Sequence, residues 1–361
     1  MEVMIGGRLL GKGVYGCVFN PPLKCQYGKD TRGKSKVGKL TESESLQNEL
    51  LAYTTFKNKP EATKYLIFGE MNTFCKKGPK GQPAIDLSGQ TEADLKKCEL
   101  IKEDGIENLY HYQMENGGPT LYSKLNNVNM TPNDFPFIKF MEQMLEIGAF
   151  MAMSGFIHQD LHIKNIVVDK NFKFRLIDFG RCYTAGTITD DVIESLKTKY
   201  SPRHGQVTPE YTIQEGIWAD VPLKKIFEDI KYEKEPLKMA QRLFGQGRDE
   251  QMVELKQFWR KSRSVQEGDF TKFWKTYWPA VDAWAIGDVL SITFYKLSLS
   301  NQFMKNPEIK AKYPVIKGII CGLLKASPLK RIDCVQALAL FDPTNQLVSS
   351  ASGKAWLSKK K

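Results

Sequence analysis

The sequence predicts an α+β fold in two parts, strand-rich over residues 1–116 and mainly helical over 117–361. Three observations carry this. The opening "GGRLLGKGVYGCVFNP" alternates apolar residues around glycines, the pattern of a hairpin. "NLYHYQMENGG" reads as a strand that stops at Gly117 and Gly118, a natural hinge. Beyond that pair, apolar residues recur at helical spacing. In "PFIKFMEQMLEIGAFMAMSG", Phe140, Met144, Ile147 and Met151 share one face, and Gly155 supplies the stop.

The remaining elements follow from the same signals. Residues 24–36 form a basic loop, and "KVGKL" a short strand. "SESLQNELLAYTTF" places Leu46, Leu50, Tyr53 and Phe56 at helical spacing, with Thr41 or Ser43 as the cap. Residues 60–100 read as an insertion in which "KYLIF" is a strand and "CKKGPKGQPAIDLSGQ" a loop. A strand-loop-strand unit is expected over 156–180, then a lysine-rich, aromatic helical stretch over 211–279 and packed helices to the end. No internal repeat is visible.

A chain of 361 residues can bury a sizeable core, and 42% hydrophobic with 26% charged residues is ordinary for a globular protein. No apolar run has the length to cross a bilayer, and "MEVMIGGRLLGKG" lacks a signal-peptide core, so the expected location is cytoplasmic. The cysteines (17, 25, 75, 98, 182, 321 and 334) are odd in number, and no pair has the two-residue separation of a zinc knuckle. The expectation is free thiols in a reducing compartment. The net charge of +11 is spread along the chain, and the tail "SKKK" is too short for a nucleic-acid arm, so nucleic acid is not an expected partner.

Several residues together point to phosphate chemistry. Phosphoryl transfer needs phosphates held, metal ions placed and a nucleophile aimed. Gly11, Gly13 and Gly16 make a G-x-G-x-x-G with Val18 two residues on, and glycines let backbone N–H groups approach phosphate oxygens. A strand follows rather than a helix, which argues against a dinucleotide-binding turn. Lys39 on the next strand can reach phosphates, with Glu49 on the following helix as its carboxylate partner. Taken alone, Glu49 reads as a solvated helix face. Asp160 can orient an acceptor hydroxyl, while Asn165 and Asp178 offer oxygen ligands to a metal. Each of these three alone is equally a turn former.

In this order the blocks resemble the eukaryotic protein-kinase family: "GKGVYGCV", "VGK", "HQDLHIKN", "DFG" at 178–180, "TPE" at 208–210, "DAWAIG" at 282–287 and "SPLKRIDC". The resemblance covers most of the chain. It implies a bilobal fold, with an N-lobe over 1–116 (insertion about 60–100) and a C-lobe over 117–361 (insertion about 215–277). It further implies ATP with Mg²⁺ (Mn²⁺ as the alternative) and protein substrates. Carried over by position, Met114 is the gatekeeper, residues 115–118 with Glu115 form the hinge beside adenine, and Arg331 pairs with Glu210.

The pattern bends at two places. Gln159 stands where the family has an arginine that reads activation-segment phosphate, which implies weak dependence on phosphorylation of residues 178–210. Tyr183, Thr184, Thr187, Thr189, Tyr200 and Ser201 are the candidate phosphosites there. His162 stands where serine/threonine members carry a lysine, and Lys164, four residues past Asp160, is the expected catalytic substitute. The reading is a protein kinase, serine/threonine before tyrosine. "HQDLH" with "NIVVD" also resembles choline kinases and aminoglycoside phosphotransferases, and a pseudokinase binding module is the third reading. Trp259, Phe273, Trp274, Tyr277 and Trp278, in the long spacing between Glu210 and Asp282 that holds the 215–277 insertion, suggest either a docking surface or extra packed helices. "GCVFNPPLKC" resembles divergent kinases of large DNA viruses, for which the location is host cytoplasm or virion.

Overall fold

The computed structural model describes residues 7–13, 16–27, 35–70, 73–75, 84–87, 92–103, 105–127 and 130–359. The chain divides into two compact units, Met1–Gly118 with Ile177–Cys182, and Pro119–Leu176 with Tyr183–Lys361. The first is strand-rich and the second mainly helical, an α+β architecture.

In the first unit, β1 (Arg8–Gly13), β2 (Gly16–Asn20), β3 (Lys36–Thr41) and β4 (Tyr110–Glu115) form an antiparallel sheet in that order. The hairpin tip, residues 14–15, lies outside the described residues. Because side chains alternate along a strand, each face of the sheet takes a different task. On one face Cys17, Phe19 and Leu40 join Leu23, Ile85, Cys98, Leu100 and Leu109 in a buried cluster. The other face carries Val18 and Lys39, which pair across β2 and β3.

That cluster overturns the expectation of free thiols. Cys17 is bonded to Cys98 and Cys25 to Cys75, at separations of 81 and 50 residues. Cys182, Cys321 and Cys334 remain thiols. The pairing was invisible in the spacing because the 60–100 stretch folds back onto the sheet, with Cys98 between the helices Glu92–Lys97 and Glu99–Glu103.

"KYLIF" is also not a strand. A 3-10 turn runs over Pro60–Lys64, then Tyr65, Leu66 and Ile67 are all buried, where an edge strand would alternate. Just beyond it, Glu70 bridges to Gln113 of the sheet. Helix α1 (Ser43–Phe56) starts after Glu42 with no side-chain cap, so neither Thr41 nor Ser43 serves. Its buried stripe is Ser45, Leu46, Glu49, Ala52 and Phe56, whereas Leu50 is exposed. Glu49 therefore sits mid-stripe, and its burial does not come from Leu50.

In the second unit, α2 (Phe137–Met153) buries Phe140, Met144, Ile147 and Met151 completely and ends at Gly155, whose φ is 64°. Phe140 packs edge-on against Phe174 of the hairpin β5 (Ile166–Val168) and β6 (Phe174–Leu176). Thr208 caps α3 (Pro209–Trp218) by accepting from Tyr211 N at 3.2 Å. Helix α4 (Leu223–Glu233) and the helices Glu235–Phe244, Arg248–Lys261, Arg263–Gln266 and Phe270–Tyr277 follow, then α5 (Pro279–Ser298), buried along most of its length.

Three of the aromatic residues suggested for docking are core. Trp259, Phe273 and Trp274 are buried, and Trp274 Nε1 donates to Gln214 Oε1 at 2.8 Å. Tyr277 and Trp278 are half-buried. The inserted helices pack around these rings, so the large apolar area is spent internally.

Candidate active site

Lys39 is the centre of the first unit's set. The register Val18↔Lys39↔Tyr112 puts all three on one face, with Val37 and Met114 paired beside them. The lysine stem runs close past Gly16, where a Cβ would stand 2.9 Å from Lys39 Cε and from Leu40 O. Gly16 is therefore required by close approach. Lys39 Nζ lies 2.5 Å from Glu49 Oε1 and 2.8 Å from Asp178 Oδ1. Lys39 and Glu49 are buried, while the Asp178 side chain is 31% exposed.

Burial works against the Lys39 charge, but Asp178 and then Glu49 outweigh it and hold the ammonium well above its usual range. The adjacent Tyr112 phenol is pushed up by burial and by the Glu49 carboxylate. Residues 178–182 are stitched to α1: Phe179 N donates to Glu49 Oε1 (3.2 Å), Asn48 Nδ2 to Gly180 O (2.7 Å) and Cys182 Sγ to Asn48 O (3.1 Å). Asp178 itself has φ 68°, a strained backbone that these bonds help hold.

Met114 is buried and Glu115 exposed at the end of β4. Asn116 N then donates to Ser35 O at 2.9 Å, and Gly118 adopts φ 94° as the unit ends. Gly11 and Gly13 lie in β1, and around Gly11 the space is open, with nothing within 4 Å of a Cβ.

The second unit carries the other set. Gln159, with φ 67°, turns the chain just before Asp160. Asp282 on α5 secures this turn by accepting from His158 N (2.7 Å) and Gln159 N (3.1 Å). Burial pushes the Asp282 carboxyl above its usual range, and His158 with the two amides offsets only part of that. Asn165 Nδ2 donates to Asp160 O at 2.9 Å, which leaves the amide oxygen as the end able to accept a cation. His162 Nε2 stands 3.8 Å from Asp160 Oδ2, and Gln206 Nε2 donates to Asp160 Oδ1 at 3.3 Å. Lys164 is exposed, its ammonium 5.5 Å from the centre of the Tyr122 ring.

Gln159 is buried and accepts from the Tyr183 hydroxyl at 3.3 Å. The expected pair of Arg331 and Glu210 forms two parallel bonds, 2.8 and 2.9 Å, with both side chains fully buried. The sequence reading missed Tyr112, Gln206 and the tethering by Asp282. Tyr112 was open to inference, since it lies two residues before Met114 on the same face. Asp282 stood in a quoted block without a role. Gln206 had no signal of its own.

No family model matches the chain. A stretch of 224 residues, 59% of the chain, is 23% identical to the tyrosine-protein kinase receptor TYRO3 of Gallus gallus. That stretch covers 23% of the receptor, so the chain spans about a quarter of its length. Among solved structures, the ROP18 kinase domain in complex with AMP-PNP and sucrose is similar over 99% of this chain and 83% of that one, at 16% identity. Its TM-score of 0.45 carries no weight by itself. Neither comparison bears on the resemblance to viral kinases. The ordered motifs, the strand-rich and helical units and the buried Lys39–Glu49–Asp178 set agree with this partial likeness to a protein kinase.

Proposed function

We propose that the protein is an ATP- and Mg²⁺-dependent protein kinase that phosphorylates serine and threonine hydroxyls. The observation that carries this is Lys39, buried and fixed between Glu49 and Asp178. A lysine held in that way is a preorganised cation for phosphate oxygens, with little reorganisation left at the moment of transfer. The glycine hairpin covers the phosphates, and Val18, Met114 and Glu115 line the nucleotide base. Asp178, partly exposed, and Asn165, with its amide nitrogen already bonded, each suit oxygen coordination of Mg²⁺, which would neutralise phosphate charge. Asp160, steadied by Gln206, orients the acceptor hydroxyl and accepts its proton. Lys164 is the cation proposed to steady the transferred group.

The preference for serine and threonine rests on His162. It occupies the position two residues past Asp160 and lies against that carboxylate, whereas Lys164 leans on Tyr122. A tyrosine acceptor is the second reading, favoured by the Lys164 spacing and by the partial match to a tyrosine-kinase receptor.

The test is transfer of labelled γ-phosphate from Mg·ATP, with Asp178→Asn in parallel. The acceptors are the protein itself, generic basic and acidic proteins, choline and an aminoglycoside. Label on protein hydroxyls that vanishes in the variant supports the proposal, and phosphoamino-acid analysis decides between Ser/Thr and Tyr. Label only on the small molecules would move the enzyme to the choline kinase type. Nucleotide binding without transfer to any acceptor would favour a pseudokinase.

A further inference from the structure

Residues 198–206 are tied down at one residue after another, and half of the ties come from the stretch between α3 and α5. The Tyr200 hydroxyl donates to Asp229 Oδ2 at 2.9 Å, and Asp229 on α4 also holds Lys225. Arg203 Nε donates to Glu233 Oε2 at 2.8 Å. Lys234, just past α4, donates to His204 O at 3.0 Å and to Thr212 Oγ1 at 2.7 Å. The Thr198 hydroxyl donates to Glu215 on α3. Trp284 Nε1 on α5 donates to Gly205 O at 2.7 Å. The next residue, Gln206, holds Asp160 Oδ1.

Lys234 makes two of these bonds. It is fully buried, and an ammonium is kept in a protein interior only when it is paired and hydrogen-bonded. Burial pushes the Lys234 pKa down to about 7, and the negative charge of Glu215, Asp288 and Glu210 offsets only part of that. The approach is tight: a Cβ at Gly205 would stand 2.5 Å from Asp288 Oδ2, so no larger residue fits between the segment and that carboxylate. Close to Asp160, Gln159 is neutral and bonded to Tyr183, so it is not a cation for a phosphate to pair with.

We propose that Lys234 and Asp229 are positioning residues for Asp160, holding residues 198–206 in place without any phosphate so that Gln206 keeps its bond to the catalytic carboxylate. The inserted helices thereby do with a buried lysine and a tyrosine–aspartate bond what a phosphate–cation pair would otherwise do. The catalytic consequence rests on the kinase reading above; the structural one does not. A shift of about 1 Å at a positioning contact can cost up to ~100-fold in rate.

The test uses the full chain, freed of phosphate by co-expressed phosphatase and checked by intact mass. Hydrogen exchange over residues 196–207 is compared among wild type, Lys234→Met and Tyr200→Phe, alongside steady-state transfer to a protein acceptor. The expected result is a protected segment in phosphate-free wild type and a local loss of protection in both variants. A drop in kcat of about tenfold for Lys234→Met should accompany this, with KM for ATP unchanged within about twofold. Three results would each overturn the proposal: a wild-type segment that exchanges freely, variants as protected as wild type, or Lys234→Met with wild-type kcat. If Lys234→Met does not fold, Tyr200→Phe, which removes one hydroxyl, decides. Absence of transfer by wild type to every acceptor would count against the kinase reading, and the exchange data would still decide the clamp.

Discussion

Replacing Glu210 by alanine removes one half of a fully buried ion pair and leaves the other half charged. Arg331 loses the two bonds of 2.8 and 2.9 Å to the carboxylate. It keeps its bonds to Ala280 O (3.0 Å), Lys325 O (2.9 Å) and Ala326 O (3.1 Å), and its place 5.0 Å from the Trp284 ring centre. Those bonds hold the guanidinium in the interior, so it cannot swing out to water. Breaking such a pair costs about 3–5 kcal/mol, because an uncompensated charge stays buried. For a unit of this size each kcal/mol lowers Tm by roughly 2–4 °C, so the expected shift is about 6–20 °C. Arg331→Ala should cost at least as much, since it strands Glu210 and three carbonyls together. Glu210→Leu with Arg331→Met should recover part of the loss by removing both charges. Urea unfolding followed by far-UV circular dichroism gives the free energies, with an unchanged m-value as the check on two-state behaviour. A loss below about 1 kcal/mol for Glu210→Ala, the range of an exposed pair, would refute the reasoning.

Three further outcomes are expected. Lys39→Met should reduce phosphoryl transfer by at least ~100-fold while leaving far-UV circular dichroism unchanged, and retained transfer would remove Lys39 from the mechanism. Burial lowers the His111 pKa to about 4, so between about 6.5 and 4 the unfolded chain binds a proton that the folded one refuses. The His111 contribution should therefore be constant above pH ~6.5 and fall by about 1.4 kcal/mol per pH unit as pH drops toward 4, so in urea titrations at several pH values the stability of His111→Phe relative to wild type should rise with that slope over this range. Thiol titration in denaturant without reductant should find three reactive cysteines, Cys182, Cys321 and Cys334, rising to seven after reduction. Seven before reduction would contradict both disulfides.

Much of the candidate site was legible because its signals are local. A glycine-rich turn between alternating strands, a lysine on the next strand and an Asp-Phe-Gly after a hairpin each depend on backbone geometry and side-chain period, which a short window contains. Glu49 was legible for a related reason: helical spacing offered few carboxylates that could turn inward. The local pattern misled where burial departed from simple periodicity. Leu50 fitted the apolar spacing yet faces water, and "KYLIF" is apolar enough for a strand but buries Tyr65, Leu66 and Ile67 in succession after a 3-10 turn.

The sequence by itself determined the two-part fold and the order of the phosphate-handling motifs, because turn chemistry, strand alternation and helical spacing act within a few residues. Tertiary structure alone decided which cysteines meet across 81 and 50 residues and that Trp259, Phe273 and Trp274 are core. It alone set Lys234 beneath His204, Asp282 under the turn at Gln159, and Gln206 against Asp160. These pairings join residues far apart in the chain. They follow from how whole elements pack and where buried polar groups find partners, and no short window of sequence carries that information.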